Sequence, residues 1–295
     1  MASSSEIVLR TSEPPRLRLA ARLREISARR EVLLNLIRRE LKVKYAASVL
    51  GAVWSLLNPI VYLAVFSFVT RVLGASIPDF PVYLLSGLLA WNLFSTSVSA
   101  GSRSVVDNAN LVKKVAFPRE ILPLTSIGVA IVDYVLQTAV LLLFMLVSGF
   151  GFHGPELTLL PIAFVTLLVF SAALTFWLAA ANVRYRDVGH LLGIALLVWF
   201  WITPIVYAAA LVQEELEGSR VLWTLYFVNP LASVVGGFQR ALYGVVGSGQ
   251  SAALFDVSLA WLAAVMLVVL AASLILLRLT WGYFFTRSGD FAEEL

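Results

Sequence analysis

Residues 101–123 read GSRSVVDNANLVKKVAFPREILP. The stretch is polar and basic, with a Lys113–Lys114 pair and a Phe117-Pro118-Arg119-Glu120 corner, and long apolar runs flank it on both sides. The spacing predicts a short helix over 105–115 that begins near Ser104. Pro118 ends it, because proline has no amide to donate and disfavours helix in the residue before it. Such a helix would turn Asn108, Asn110, Lys113 and Lys114 toward water or a protein surface. A minimal connector needs far less chemistry, so the stretch reads as a docking element between two membrane spans. The plainer alternative is a basic anchor with an ordinary turn.

Working outward, the composition is that of an integral membrane protein. Hydrophobic residues make up 60% of the 295 residues and charged residues 14%, against about 45–50% and 25% in soluble domains. A helix needs about 20 apolar residues to cross a hydrocarbon core of about 30 Å. Six runs qualify: 50–73, 82–101, 122–148, 157–182, 188–211 and 252–279. None alternates strictly, and backbone groups in lipid must be satisfied within the segment, so these are read as helices in an all-α fold. Pro59 and Pro204 should kink the first and fifth spans or mark a boundary.

Charge placement sets the expected orientation. Nineteen of the 22 Lys and Arg residues fall on the side of the N-terminus and the 101–123 connection, against Arg71, Arg220 and Arg240 on the other. Both termini are therefore expected in the cytoplasm. The first residues lack an early apolar run, so no cleaved signal peptide is expected. The organisation that follows is a mobile Ser-, Pro- and Arg-rich segment (1–28), an amphipathic interface helix (29–48), a six-helix transmembrane domain (49–285) and a cytoplasmic tail (286–295). In the interface helix Leu33, Leu36, Ile37 and Leu41 share one face, while Arg38, Arg39 and Lys42 lie elsewhere. A basic amphipathic helix of this kind lies against anionic lipid, and its exposed face could also clamp a partner. No nucleic-acid partner is expected.

Beyond the fifth span, two apolar runs, 221–228 and 231–246, are divided by Asn229–Pro230. The first is too short to cross, and Gly236–Gly237 and Gln239–Arg240 break the second. Lengths like these suit an outer re-entrant helical hairpin over 212–250, carrying Trp223, Tyr226, Asn229, Pro230 and Arg240.

The sequence excludes much chemistry. It has no cysteine, and none of its four lysines completes a GxxxxGK[ST] phosphate loop, so ATP hydrolysis by that route is ruled out. The two histidines, His153 and His190, stand apart without nearby carboxylates, which excludes a convincing metal or general-base site. Neither catalytic residues nor a cofactor in this chain are expected. Asp133, with Gln137 one turn on, lies inside the third span, where an unpaired charge is costly. It is read either as a structural hydrogen-bonding group or as a pathway residue. Tyr62 and Phe66 share a face of span one, and Trp199, Trp201 and Tyr207 crowd span five. Aromatic faces could stack on sugar rings, although lipid-facing packing accounts for them equally well.

These residues resemble a known family. RELKVKY (39–45), SVLGAVW (48–54) and Asn58–Pro59 look like the approach to span one in polysaccharide-exporting type-2 ABC transporter permeases. LSGLLAWNLF (85–94), NANLVKKVAFPREILP (108–123) and Asn229-Pro230-Leu231 look like later blocks of the same family. The likeness covers residues 30–285. It implies a homodimeric permease in the bacterial cytoplasmic membrane, working with two copies of a separate ATPase that binds ATP and Mg. The implied substrate is a polyprenyl-diphosphate-linked glycan such as O-antigen, teichoic acid, capsule or galactan. By the same likeness the ATPase is met by Asn108, Asn110, Leu111, Lys113, Lys114, Phe117, Pro118, Arg119 and Glu120, with Arg38, Arg39 and Lys42 of the interface helix. Spans one and five would form the channel, with Tyr62, Phe66, Trp199, Trp201, Tyr207 and Asp133 as candidate lining, and the outer hairpin would shape the exit.

Three alternatives stay open. A drug- or lipid-exporting permease is close in class. A polyprenyl-dependent glycosyltransferase would want clustered acids, and Asp79, Asp107, Asp187 and Asp256 are scattered. An ion-coupled transporter would show internal repeats and paired intramembrane charges, and neither is evident.

Overall fold

The computed structural model of the chain describes residues 19–46, 54–73, 77–151, 154–216, 218–244 and 253–295. Among them every regular element is helical. Four helical stretches are long and apolar enough to cross a bilayer: α4 (Phe80–Asp107), α6 (Ile121–Val147), the run Pro155–Arg184, whose helix proper is α7 (Leu159–Arg184), and α12 (Leu259–Arg287). A fifth candidate is the pair α10 (Arg220–Val228) and α11 (Pro230–Leu242), bent by 78° at Asn229.

Of the six expected spans, four helices qualify by length and composition among the described residues, or five if the bent pair counts as one span. The other two expected spans carry shorter apolar stretches: α3 (Trp54–Leu73) is a 20-residue helix whose apolar part is Pro59–Val72, and α8 (Val188–Ile202) has 15 residues. At 1.5 Å per residue α8 reaches only about 23 Å. The predicted fifth span ends early because Thr203 turns extended and Pro204 cannot donate to a helix ladder. The irregular stretch that follows is held by protein rather than left to lipid. The Tyr83 hydroxyl donates to the carbonyls of Pro204 (3.3 Å) and Tyr207 (2.7 Å), and Gln239 Nε2 donates to Pro204 (2.9 Å). Non-helical backbone at membrane depth is tolerated under that condition.

α4 is the axis of the bundle and packs against α6, α7 and α11. Tyr83, Leu84, Leu88, Ala90, Leu93, Phe94 and Val98 are buried along it. Phe94 stacks on Phe170 of α7 at 5.7 Å and meets the edge of Trp199 at 5.3 Å. Lipid is as apolar as leucine, so helices associate in it through close packing and small residues. Gly101 provides that closeness: a Cβ there would sit 2.2 Å from Thr175 Cγ2 of α7. Gly101→Ala should destabilise the bundle by about 1–3 kcal/mol. Adding Thr175→Ser, which deletes that methyl, should recover part of the loss in a thermal unfolding series. An additive double mutant would show that the two residues do not meet.

Of the segment 1–28, residues 1–18 lie outside the described residues, and 19–28 form α1 (Leu19–Ala28), with Ile26 buried in a cluster with Val105, Val112, Phe176, Trp281 and Phe284. The short helix expected over 105–115 is divided. α4 runs to Asp107, Asn108 interrupts it, and α5 (Ala109–Lys114) follows. Asn108 Nδ2 donates to the Ser104 carbonyl at 2.9 Å, the competition with backbone bonding that makes asparagine a helix breaker. α2 (Arg30–Ala46) packs along α6, α9 (Ala209–Leu216) precedes the bent pair, and the tail forms α13 (Phe291–Glu294).

Candidate functional site

The connection between α4 and α6 is anchored on one side and bare on the other. Its anchored side is built on Glu120, whose side chain is 0% exposed. Arg22 of α1 grips it with two bonds, Nε to Oε1 at 2.6 Å and Nη2 to Oε2 at 2.8 Å, and Trp281 Nε1 of α12 donates at 3.4 Å. The bond to Glu120 raises the Arg22 pKa above its ordinary value, against the opposing effect of burial. The Arg22 guanidinium also covers the Phe285 ring at 4.8 Å. Arg119 donates to the Gly289 carbonyl at 3.4 Å; burial lowers its pKa and Asp290 partly offsets this. Arg29 donates to the Ala116 carbonyl at 3.4 Å. Val112 of α5 is buried, and Phe291 of α13 lies in the same cluster.

The bare side consists of Asn110, Lys113, Lys114, Val115 and Ala116, all exposed. Asn108, Leu111, Phe117 and Arg119 are half-buried, while Pro118 and Glu120 are buried. Of the candidate docking residues, Pro118 and Glu120 thus face inward and brace the element. Arg38, Arg39 and Lys42 are exposed on α2, and Arg39 Nη2 donates to Asn108 Oδ1 at 3.3 Å, which joins α2 to the connection.

α2 is docked on protein as well as amphipathic. Leu33, Leu36, Ile37 and Leu41 are half-buried, and Ile37 occupies the space left by Gly128 of α6. At its C-terminal end Lys44 Nζ lies 2.6 Å from Asp133 Oδ2, and the Tyr45 hydroxyl donates to Asp133 Oδ1 at 2.5 Å. Asp133 is therefore paired, and its partners come from the interface helix. Asp133 is twelve residues past Ile121, about 18 Å along α6, so α2 grips α6 well beyond its first turn. Gln137 accepts from Asn92 of α4 at 3.0 Å.

The aromatic candidates do not form one lining. Tyr62 and Phe66 of α3 stack at 6.0 Å, Tyr62 meets Phe200 at 5.7 Å, and Phe66 meets Trp201 at 6.2 Å. This group joins α3 to α8, with Trp201 exposed. Trp199 turns the opposite way, packs on Phe94 and Phe170, and donates Nε1–H to Asn229 Oδ1 at 2.7 Å. Tyr207 donates to the Trp201 carbonyl at 2.9 Å. Asp133 is bonded to α2 and stands apart from both groups.

The bent pair is fastened at its elbow. Asn229 Oδ1 caps α11 by accepting from Leu231 N at 3.1 Å, and Pro230 sits in the first turn, where its missing amide costs nothing. Trp223, Tyr226 and Phe227 gather with Phe255 and Trp261. Arg240 Nε bonds Glu156 Oε2 at 3.0 Å and its Nη1 donates to the Val257 carbonyl. Glu156, Arg22 and Phe291 were not singled out by sequence. Each acts across a long loop, and only the isolated Glu120 in an otherwise basic corner hinted at a cation to receive it.

Among the described residues no group of His, Cys, Asp and Glu could hold a metal ion. An all-helical bundle of apolar spans, with its buried charges paired between helices and a bare basic helix at one end, is the architecture of a multi-pass membrane protein. Residues 31–243 match the ABC-2 type transporter family, and the chain belongs to that family. It is 34% identical to the O-antigen export system permease protein RfbA of Myxococcus xanthus, over 75% of this chain and 84% of that one. It is 27% identical to the protein of the same name in Klebsiella pneumoniae, over 70% of this chain and 77% of that one. The polysialic acid transport protein KpsM of Escherichia coli is 25% identical over 81% and 90%.

Proposed function

We propose that this chain is the membrane permease of an ABC exporter of polysaccharide, acting as a homodimer with two copies of a separate ATPase. The substrate in this reading is a glycan on a polyprenyl diphosphate, moved outward across the bacterial cytoplasmic membrane. The polysaccharide-export names of the relatives support the substrate class. α3, and α8 continued by the irregular chain after Ile202, would complete six spans, with both termini in the cytoplasm and the bent pair re-entering from outside.

The observation that carries the reading is the mechanical character of the connection. A bare, basic helical end projects from an element that Arg22, Trp281 and Phe291 hold rigidly to both termini. A force applied to Lys113 and Lys114 would therefore reach α4, α6 and α12 together. ATP binding that closes two ATPase subunits would supply that force, and the α3–α8 aromatic group would line the path it opens.

The test begins with co-purification of an ATPase bearing GxxxxGK[ST]. Reversing both charges, Lys113→Glu with Lys114→Glu, should weaken the ATPase complex about tenfold to a hundredfold, since like-for-unlike charge at a contact costs several kcal/mol. Folded yield should stay at the wild-type level because both side chains are solvated. Unchanged complex and unchanged export would reduce α5 to a basic anchor. Which molecule accumulates inside cells on depletion separates glycan export from drug or lipid export.

A further inference from the structure

At the end of the bundle that carries the bent pair, two cavities meet, and the transport reading uses neither. The larger, about 570 Å³, lies between α10 and α12, and its walls include Phe170, Phe227, Val265, Val268 and Ala272. Among the described residues its only polar side chains other than the two indoles are Thr224 and Ser273. The smaller, about 330 Å³, is walled by Gln213, Ser219, Asp256 and Ser258. Trp223 and Trp261 belong to both walls, and their rings lie nearly parallel, 6.4 Å apart and inclined by 22°. The result is one amphipathic cleft, with a dry chamber, a gate of two indoles and a polar mouth. Indoles at such a boundary keep an apolar body in hydrocarbon and an N–H toward the wet side.

We propose that this cleft binds a single bilayer phospholipid, with its chain in the dry chamber and an ammonium head group beside Asp256. Three observations select that occupant. α12 is a membrane span, and Leu267 and Val268 are exposed beside the chamber, so what reaches its rim is hydrocarbon. The chamber and mouth both fall within the volume range of small-molecule sites, about 300–1,000 Å³. Among the described residues Asp256 is the one charged side chain in either wall, and no Lys or Arg lines them. An exposed carboxylate attracts an ammonium group and repels a purely anionic head. That argues for phosphatidylethanolamine over phosphatidylglycerol, and against the diphosphate end of a carrier lipid. The proposal needs only that α12 spans the bilayer, and does not depend on export.

The test uses the full-length protein in nanodiscs of phosphatidylethanolamine and phosphatidylglycerol, with either lipid carrying a diazirine near its chain end. Photolabelling should concentrate on α10 and on the Trp261–Ser273 side of α12, with the ethanolamine probe preferred. Ala272→Trp, which fills the chamber, should cut capture about tenfold, because a side chain occupying the site competes directly with the chain. Ala264→Leu serves as a gentler filling where the larger change lowers folded yield. Asp256→Lys should move the preference to phosphatidylglycerol. Label spread evenly over Leu274, Ile275 and Leu279, unmoved by either filling, would overturn the site, and an unchanged preference in Asp256→Lys would overturn the head-group assignment. The native chain has no cysteine, so a disulfide-linked dimer formed by Val268→Cys would show a second copy in the chamber instead. Loss of the ATPase partner or of export with labelling intact would sink only the transport reading.

Discussion

Arg22→Met should destabilise the protein by about 3–5 kcal/mol, the cost of leaving a buried charge without its partner. The size follows from an asymmetry within the pair. The Glu120 side chain is 0% exposed and that of Arg22 is 18% exposed. Without Arg22 the carboxylate retains only the 3.4 Å bond from Trp281. Glu120→Gln should cost less, about 1.5–3 kcal/mol, because Arg22 keeps a route to water and to Glu25 at 2.5 Å. The double replacement Arg22→Met with Glu120→Leu should recover most of the loss, since apolar residues of similar volume often substitute for a buried pair without penalty. Denaturant or thermal unfolding in detergent checks all three. An Arg22→Met protein within about 0.5 kcal/mol of wild type would mean that the pair behaves as a solvated surface bridge.

The same pair shows where sequence reading stopped. The connection stands out in the sequence because its signals are local: Lys113–Lys114 are adjacent and Pro118 punctuates within four residues. Arg22 and Glu120 are separated by 98 positions, and Arg22 sits in a segment whose Ser, Pro and Arg content reads as disorder. The helical spacing of Arg22 and Ile26 is visible only once something is known to lie beneath it. The early end of the helix in the fifth expected span was hidden for a related reason. Counting apolar residues over 188–211 registers hydrophobicity but not backbone geometry, and Thr203–Pro204 ends the helix inside the run. What makes that break tolerable is the Tyr83 hydroxyl and the Gln239 amide, supplied from α4 and α11. Asn229–Pro230, in contrast, announces its bend locally, as a capping side chain followed by a residue suited to a helix's first turn. Asp133 could be recognised as costly from its position alone. Its partner could not, because Lys44 reads equally well as one more basic residue on an interface helix.

Lys44→Met should separate ATP hydrolysis from export. Lys44 and Tyr45 hold Asp133 at the far end of α2, while Arg39 holds Asn108 nearer the connection. α2 is thus fastened at two levels, to the α4–α5 junction and to α6, and a displacement of one is carried to the other. In the proposed reading, cutting the upper fastening leaves the ATPase contact intact and removes the transmission. Coupling between two sites is typically about 1–3 kcal/mol, so export should fall about 5- to 150-fold while the hydrolysis rate of the complex is retained. The stability cost should be smaller than for Arg22→Met, about 1–2 kcal/mol, because the Lys44 side chain is 39% exposed and its charge is screened. Asp133→Asn should be milder in both respects, since the amide oxygen still accepts from Tyr45 or Lys44. Exchanging the charges, Lys44→Asp with Asp133→Lys, should return part of the export lost in Lys44→Met, as a fastening that depends on attraction across 2.6 Å would. Loss of folded protein in step with loss of export would make the contact a brace, and wild-type export in Lys44→Met would make it idle. Export lost at full hydrolysis and full yield is the outcome that a transmitting contact requires.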